Sequence, residues 1–143
     1  MPEDYPLTYH NLSPFEQGYA DSLIDNESNS DDHAQWIGIG VEDFSPDALR
    51  QIGRDCKRFV CRAVGLLRTN DERLFAHIDG YDLGWHFYLE RQGTGVGIND
   101  MDLDELGHRL IKAAQPFDWF TVSIGADRKI HFGAPQLTTD LSA

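Results

Sequence analysis

The stretch His86-Phe87-Tyr88-Leu89-Glu90-Arg91-Gln92-Gly93-Thr94-Gly95-Val96-Gly97-Ile98-Asn99 decides the fold class. An aromatic-rich run, a glycine-bearing turn and a second short apolar run predict a β-hairpin. A further hairpin is predicted downstream, where Trp119-Phe120-Thr121-Val122-Ser123-Ile124 turns at Gly125-Ala126-Asp127-Arg128 into Lys129-Ile130-His131-Phe132. Helical patterns fill much of the remaining chain. The expected fold is therefore α+β: a small antiparallel sheet of two β-hairpins packed against three helices, in the order α-α-β-β-α-β-β.

The helices announce themselves by their ends and their stripes. Ser13-Pro14-Phe15-Glu16 places serine at an N-cap, proline at the first helical position and glutamate where a capping box needs it. This helix is predicted to run to about Ile24 with Phe15, Tyr19, Ala20 and Leu23 inward, and Leu12 folding back as a hydrophobic staple. An acidic flexible loop over residues 25–35 follows, then a short strand or extended tether at Trp36–Val41. Ser45-Pro46 repeats the start signal, and Leu49, Ile52, Cys56, Phe59, Ala63 and Leu66 form one apolar stripe. A shorter helix is expected from Asn70 through Ala76. The third long helix carries Leu103, Leu106, Leu110, Ile111 and Ala114, with Asp102 as its cap and a stop before Pro116.

At 143 residues the chain fits a single domain over 1–143, with a loose tail at 133–143. No apolar run reaches the length of a membrane span, and the acidic start lacks the features of a signal peptide, so a cytoplasmic protein is expected. Charge is distributed very unevenly. Residues 1–47 hold eleven carboxylates and no lysine or arginine, while the remaining 96 residues carry thirteen acids against twelve bases. Nearly all of the formal charge of −12 thus resides in the first third. Such a field repels nucleic acid and attracts basic surfaces.

Candidate chemistry is sparse. His77, Asp79, Asp82 and His86 lie within ten residues and include donors that a divalent ion accepts, but their spacing matches no ligand motif. Gly80 and Gly84 mark that segment as a turn before a strand. The glycines from Gly93 to Gly97 join two strands rather than opening a helix, and no Lys-Ser/Thr follows, so a phosphate loop is disfavoured. Cys56 and Cys61 sit about 140° apart around a helix at ~100° per residue, poor geometry for a bridge. Trp85, Phe87, Trp119 and Phe120 are expected on the sheet, either in the core or as interface anchors. No catalytic residue, metal or cofactor is expected, and the chain is read as a non-enzyme.

Three patches carry a resemblance. Leu12-Ser13-Pro14-Phe15-Glu16-Gln17-Gly18-Tyr19 is similar to an "L-(S/T)-P-F-x-x-x-Y" opening, and Phe44-Ser45-Pro46-Asp47-Ala48-Leu49 with Asp55-Cys56 and Phe59 to an "A-P-E-x-L … D-C-x-x-F" helix. Gly84-Trp85-His86-Phe87-Tyr88-Leu89-Glu90-Arg91-Gln92-Gly93-Thr94-Gly95-Val96-Gly97 resembles "G-H-D-F-W-L-T-R-N-G-H-G-A-G-F". Together these resemble a family of small proteins from bacteriophage and prophage genomes. Trp85, His86 and Thr94 depart from its His, Asp and His. The resemblance implies phage origin and a bacterial host cytoplasm.

The functional expectation joins that setting to the charge. A phage-encoded acidic protein of anti-CRISPR or anti-restriction type would present a DNA-mimicking carboxylate surface to the basic surface of a host nucleic-acid-binding complex. Asp21, Asp25, Glu27, Asp31, Asp32, Glu42 and Asp43 are the expected contacts. The alternatives are an accessory or structural phage protein that binds an unrelated partner through an aromatic sheet face, and a small metal-dependent hydrolase. Direct nucleic-acid binding is not expected. The bases of the second helix, Arg50, Arg54, Lys57, Arg58 and Arg62, oppose the leading expectation if they pair with the early acids.

Overall fold

Ser13 and Glu16 close the capping box that the sequence anticipates: Ser13 Oγ accepts from Glu16 N at 3.2 Å and Glu16 Oε1 accepts from Ser13 N at 2.9 Å. In the computed structural model, which describes residues 7–30, 33–67, 78–94 and 97–133, this start opens α1 (Pro14–Ser28). The helix carries Tyr19, Ala20 and Leu23 into the core over a buried Leu12. It runs one turn past the expected end, so Asp25–Ser28 are helical rather than part of a loop. That extra turn is tied down by Glu27, which accepts a hydrogen bond from Tyr88 at 2.8 Å. Side chains with short amides then close the end: Asn26 donates to Ser22 O at 2.8 Å and Asn29 to Asp25 O at 2.7 Å.

The second helix, α2 (Pro46–Leu67), starts on Ser45, whose Oγ accepts from Ala48 N at 3.1 Å. Its stripe of Leu49, Ile52, Cys56, Phe59 and Ala63 is buried as the spacing requires. The expected helix from Asn70 to Ala76 and the tail beyond Gly133 lie outside the described residues.

The predicted first hairpin is overturned. Residues Gly80–Arg91 form a helix, α3, capped by Asp79, whose carboxylate accepts from Tyr81 N at 2.9 Å. The supposed return strand begins instead as a single 3-10 turn at Ile98–Met101. Gly93, with φ +67, follows the helix end rather than joining two strands. The physical reason lies in close backbone approach at two glycines, one of which, Gly84, is expected from the sequence in a turn. A β-carbon on Gly84 would stand 1.9 Å from the Phe15 carbonyl oxygen, and one on Gly18 the same distance from that of Tyr81. Glycine costs about 1 kcal/mol in a helix interior relative to alanine, and here the close backbone approach offsets it. The facing pairs advance together, Gly80 beside Phe15, Gly84 beside Tyr19 and Tyr88 beside Glu27, so α1 and α3 run in the same sense.

Helix α4 (Asp104–Ala114) stops before Pro116 as expected, and Leu110, Ala113 and Ala114 are buried. Asp102 does not cap it: the N-cap is Leu103, and Asp102 takes a left-handed φ of 58 at the end of the preceding 3-10 turn. The second predicted hairpin forms, with β1 (Val122–Ile124) antiparallel to β2 (Ile130–Phe132) in the register Val122 to Phe132 and Ile124 to Ile130. The fold is thus α+β, with four helices and one two-stranded antiparallel sheet among the described residues. Ser45 N donates to Ile130 O at 3.0 Å, which ties β2 to the start of α2.

Aromatic rings fill the centre, with Phe59 and Phe87 stacked at 4.2 Å and Phe87 edge-on to Phe117 at 5.2 Å. One cation is enclosed among them. Arg91 has a side chain only 2% exposed, bonds Asp55 at 2.6 Å, donates to the Asp118 carbonyl, and lies over the Phe120 ring at 4.7 Å. Every buried polar side-chain atom among the described residues has a partner, as a dry core demands.

Candidate functional site

The early carboxylates do not form a uniform row. Asp21, on α1, is half-buried and clamped by two phenols: Tyr9 donates to it at 3.2 Å, and Tyr81 at the start of α3 donates to the same oxygen. Burial, and then the bond to Asp21, push the Tyr9 hydroxyl up to about 12, and the Tyr81 hydroxyl is driven upward by the same causes. Glu27 is held in the same manner by Tyr88, whose hydroxyl is raised first by burial and then by the Glu27 charge. Asp43 accepts from Gly40 N at 2.8 Å within a 3-10 turn at Val41–Asp43. Asp25 is exposed. Glu42 has a side chain 75% exposed, with His10 Nε2 at 3.9 Å. Asp31 and Asp32 lie outside the described residues.

These partners decide what remains of the charge. Phenol and amide N–H groups are neutral donors, so they orient a carboxylate without cancelling its charge. Three of the bases of α2 are directed elsewhere. Arg50 pairs with Asp47 of its own helix, Arg62 donates to the Ala113 carbonyl at 3.0 Å, and Arg58 sits 5.9 Å from the Phe117 ring. No ion pair seen among the described residues joins α2 to Asp21, Asp25 or Glu27. Two acids outside the expected set extend the surface. Asp79 and Asp82 are exposed at the N-terminal end of α3, flanking Tyr81 and hence Asp21.

The tyrosine anchors Tyr9, Tyr81 and Tyr88 escape a reading of sequence, since their spacing from Asp21 and Glu27 follows no local pattern. Tyr81 and Tyr88 come from the segment assigned to the wrong secondary structure, which hides the pairing completely. The aromatic sheet face does not form either. Trp85 and Phe87 lie on α3, Phe87 and Phe120 are buried, and Trp119 alone of the four is substantially exposed, at 46%.

The histidine group takes a different shape from a metal site. His77 lies outside the described residues, Asp79 caps α3, and His86 Nδ1 donates to the Asp82 carbonyl at 2.8 Å. Among the described residues no three His, Cys, Asp or Glu side chains gather as metal ligands would. Both cysteines are free; Cys56 is buried, which drives its thiol well up and leaves it unreactive, and Cys61 faces outward. Among the described residues no helix is long and apolar enough to cross a membrane. No protein-family model, no curated protein and no solved structure matches this chain.

Proposed function

We propose that this chain is a binding protein whose carboxylate surface occupies the basic, nucleic-acid-binding surface of a partner. The observation that carries the reading is the clamp on Asp21 by Tyr9 and Tyr81. It fixes a charge in place before any partner arrives, and pre-organisation lowers the entropy lost on binding. Asp25 on the same helix and Asp79 and Asp82 beside Tyr81 supply exposed acceptors, and Glu42 a further one, each suited to the fork of an arginine or the ammonium of a lysine. Such a surface competes with phosphates by electrostatics alone and needs no reaction. In the setting implied by the phage resemblance, the partner is a host defence or nucleic-acid-processing complex in the bacterial cytoplasm, and binding inhibits it.

The test is capture of partners from a bacterial lysate by the tagged protein, alongside a variant carrying D25K, E42K and D82K. The expected partners bind nucleic acid, are displaced by added duplex DNA, and leave the resin between roughly 0.1 and 0.5 M salt, where the Debye length falls to a few ångströms. Equal capture by the reversed variant, or capture indifferent to DNA, sinks the reading.

A second reading, a partner gripped by an apolar anchor, has one observation behind it. Ile37 is 71% exposed at the tip of a tight turn with Gly38 at φ +82. Arg128 holds that turn from the hairpin, donating to Ile37 O at 2.7 Å and to Gln35 O at 3.3 Å. If this anchor dominates, Ile37→Asp abolishes capture while the charge-reversed variant retains it.

A further inference from the structure

Gly53 lies in the interior of the 22-residue helix α2, where glycine weakens a helix relative to alanine. Packing does not call for it. A β-carbon there would meet only Glu16 Oε2, at 3.8 Å, an ordinary contact. Gly18 and Gly84, by contrast, have backbone carbonyls in the way. What the missing side chain leaves open is a groove of about 330 Å³ between α2 and the segment before α1.

The groove has two kinds of wall. Leu7, Leu12 and Leu49 line it with apolar surface, and Arg50, Arg54 and Lys57 border it at positions i, i+4 and i+7 of α2, one face of the helix. Arg50 is engaged by Asp47, whereas Arg54 and Lys57 form no ion pair with any described residue. Two cations without an ion-pair partner among the described residues, beside an apolar floor in a chain of net charge −12, are an uneven distribution that solubility does not need.

We infer that this groove binds a small amphiphilic carboxylate, with its headgroup on Arg54 and Lys57 and its alkyl part over Leu7, Leu12 and Leu49. The volume is at the lower end of the ~300–1,000 Å³ common for small-molecule sites, too small for a peptide helix. Glu16 also lines the groove, and its charge together with that of the whole chain selects against a polyanion such as nucleic acid or a polyphosphate. A single carboxylate matches Arg54 and Lys57 together and leaves Glu16 in its capping box. The site uses residues separate from the carboxylate surface and stands whether or not that surface binds a partner.

Titration of the isotope-labelled protein with sodium octanoate, followed by amide NMR, tests it. Octanoate is expected to shift the Leu49, Gly53 and Lys57 amides to saturation in the low-millimolar range or below. Acetate, which has the headgroup alone, and 1-octanol, which has the tail alone, are each expected to bind at least about tenfold more weakly. Gly53→Leu fills the groove and should abolish the shifts, with the spectrum itself reporting that the variant is folded. The exposed double variant R54Q/K57Q should weaken octanoate about tenfold, the scale of two charge-assisted contacts at a partly exposed site. Octanol binding as well as octanoate, octanoate indifferent to R54Q/K57Q, or no saturable shift at these amides overturns the inference.

Discussion

A β-carbon at Gly84 would stand 1.9 Å from the Phe15 carbonyl oxygen and 3.1 Å from the Tyr19 amide nitrogen, so Gly84→Ala must push α1 and α3 apart. Overpacking of this kind costs roughly 1–3 kcal/mol, against which the better helix propensity of alanine returns under ~1 kcal/mol. Urea denaturation is expected to show a net loss for Gly84→Ala and a gain of about 0.5–1 kcal/mol for Gly53→Ala, where the new methyl has room. Equal effects at the two sites would refute the close approach. The tyrosine clamp makes a prediction about pH at the same scale. Tyr9 is raised from 10.0 to about 12 on folding by burial and by its bond to Asp21. The folded state therefore holds that proton more tightly than the unfolded chain does. The stability this contributes is fully present below the ordinary tyrosine range and is lost as pH rises through about 12. Tyrosinate absorbance should accordingly develop late in the wild-type protein, and Asp21→Asn should move part of that rise down toward the ordinary value. An unchanged titration in Asp21→Asn would break the link between the phenols and the carboxylate.

Among the elements, α1, α2, α4 and the last hairpin are legible because local signals and burial agree. Ser13 and Ser45 cap where proline follows, and the α2 stripe is buried at nearly every position that its spacing selects. The segment that misleads is α3, and the cause is physical. Its aromatics suit a strand, and Gly80 and Gly84 suit a turn. Both preferences yield to contacts that only the folded chain supplies, since glycine is what lets α1 come within reach. Leu83 with Gly84, and Phe87 with Tyr88, are adjacent buried pairs one helical turn apart, a pattern that an alternating strand does not explain. The tyrosine anchors of the candidate site were lost with it. His86→Pro separates the two structures, because proline is tolerated at the first residue of an edge strand but costs about 3 kcal/mol or more in the interior of a helix. His86 is the seventh residue of α3. Circular dichroism should show lost helix and a strongly lowered melting temperature; a near-native melt would restore the hairpin.

For the molecule as a whole, the sign of its response to salt tests the charge distribution without any partner. The one-sidedness of the charge is legible in the sequence, but whether α2 cancels it is not, because a base in sequence does not reveal whether it faces an acid, a carbonyl or a ring. In the fold, Arg62 and Arg58 meet a carbonyl and a ring, and Asp21 and Glu27 meet phenols. A net charge of −12 that is oriented but uncancelled repels itself and destabilises the compact state. Raising sodium chloride from ~20 to ~300 mM shortens the Debye length from roughly 20 Å to below ~8 Å and screens that repulsion. The melting temperature is therefore expected to rise by a few degrees, since ~1 kcal/mol moves it by about 2–4 °C in a chain near this size. The buried Arg91–Asp55 pair is shielded from the salt and should not mask the effect. Were the early acids instead matched by the bases of α2, salt would screen attractions and the melting temperature would fall. A fall would remove the free negative surface, and with it the ground for a nucleic-acid-mimicking role.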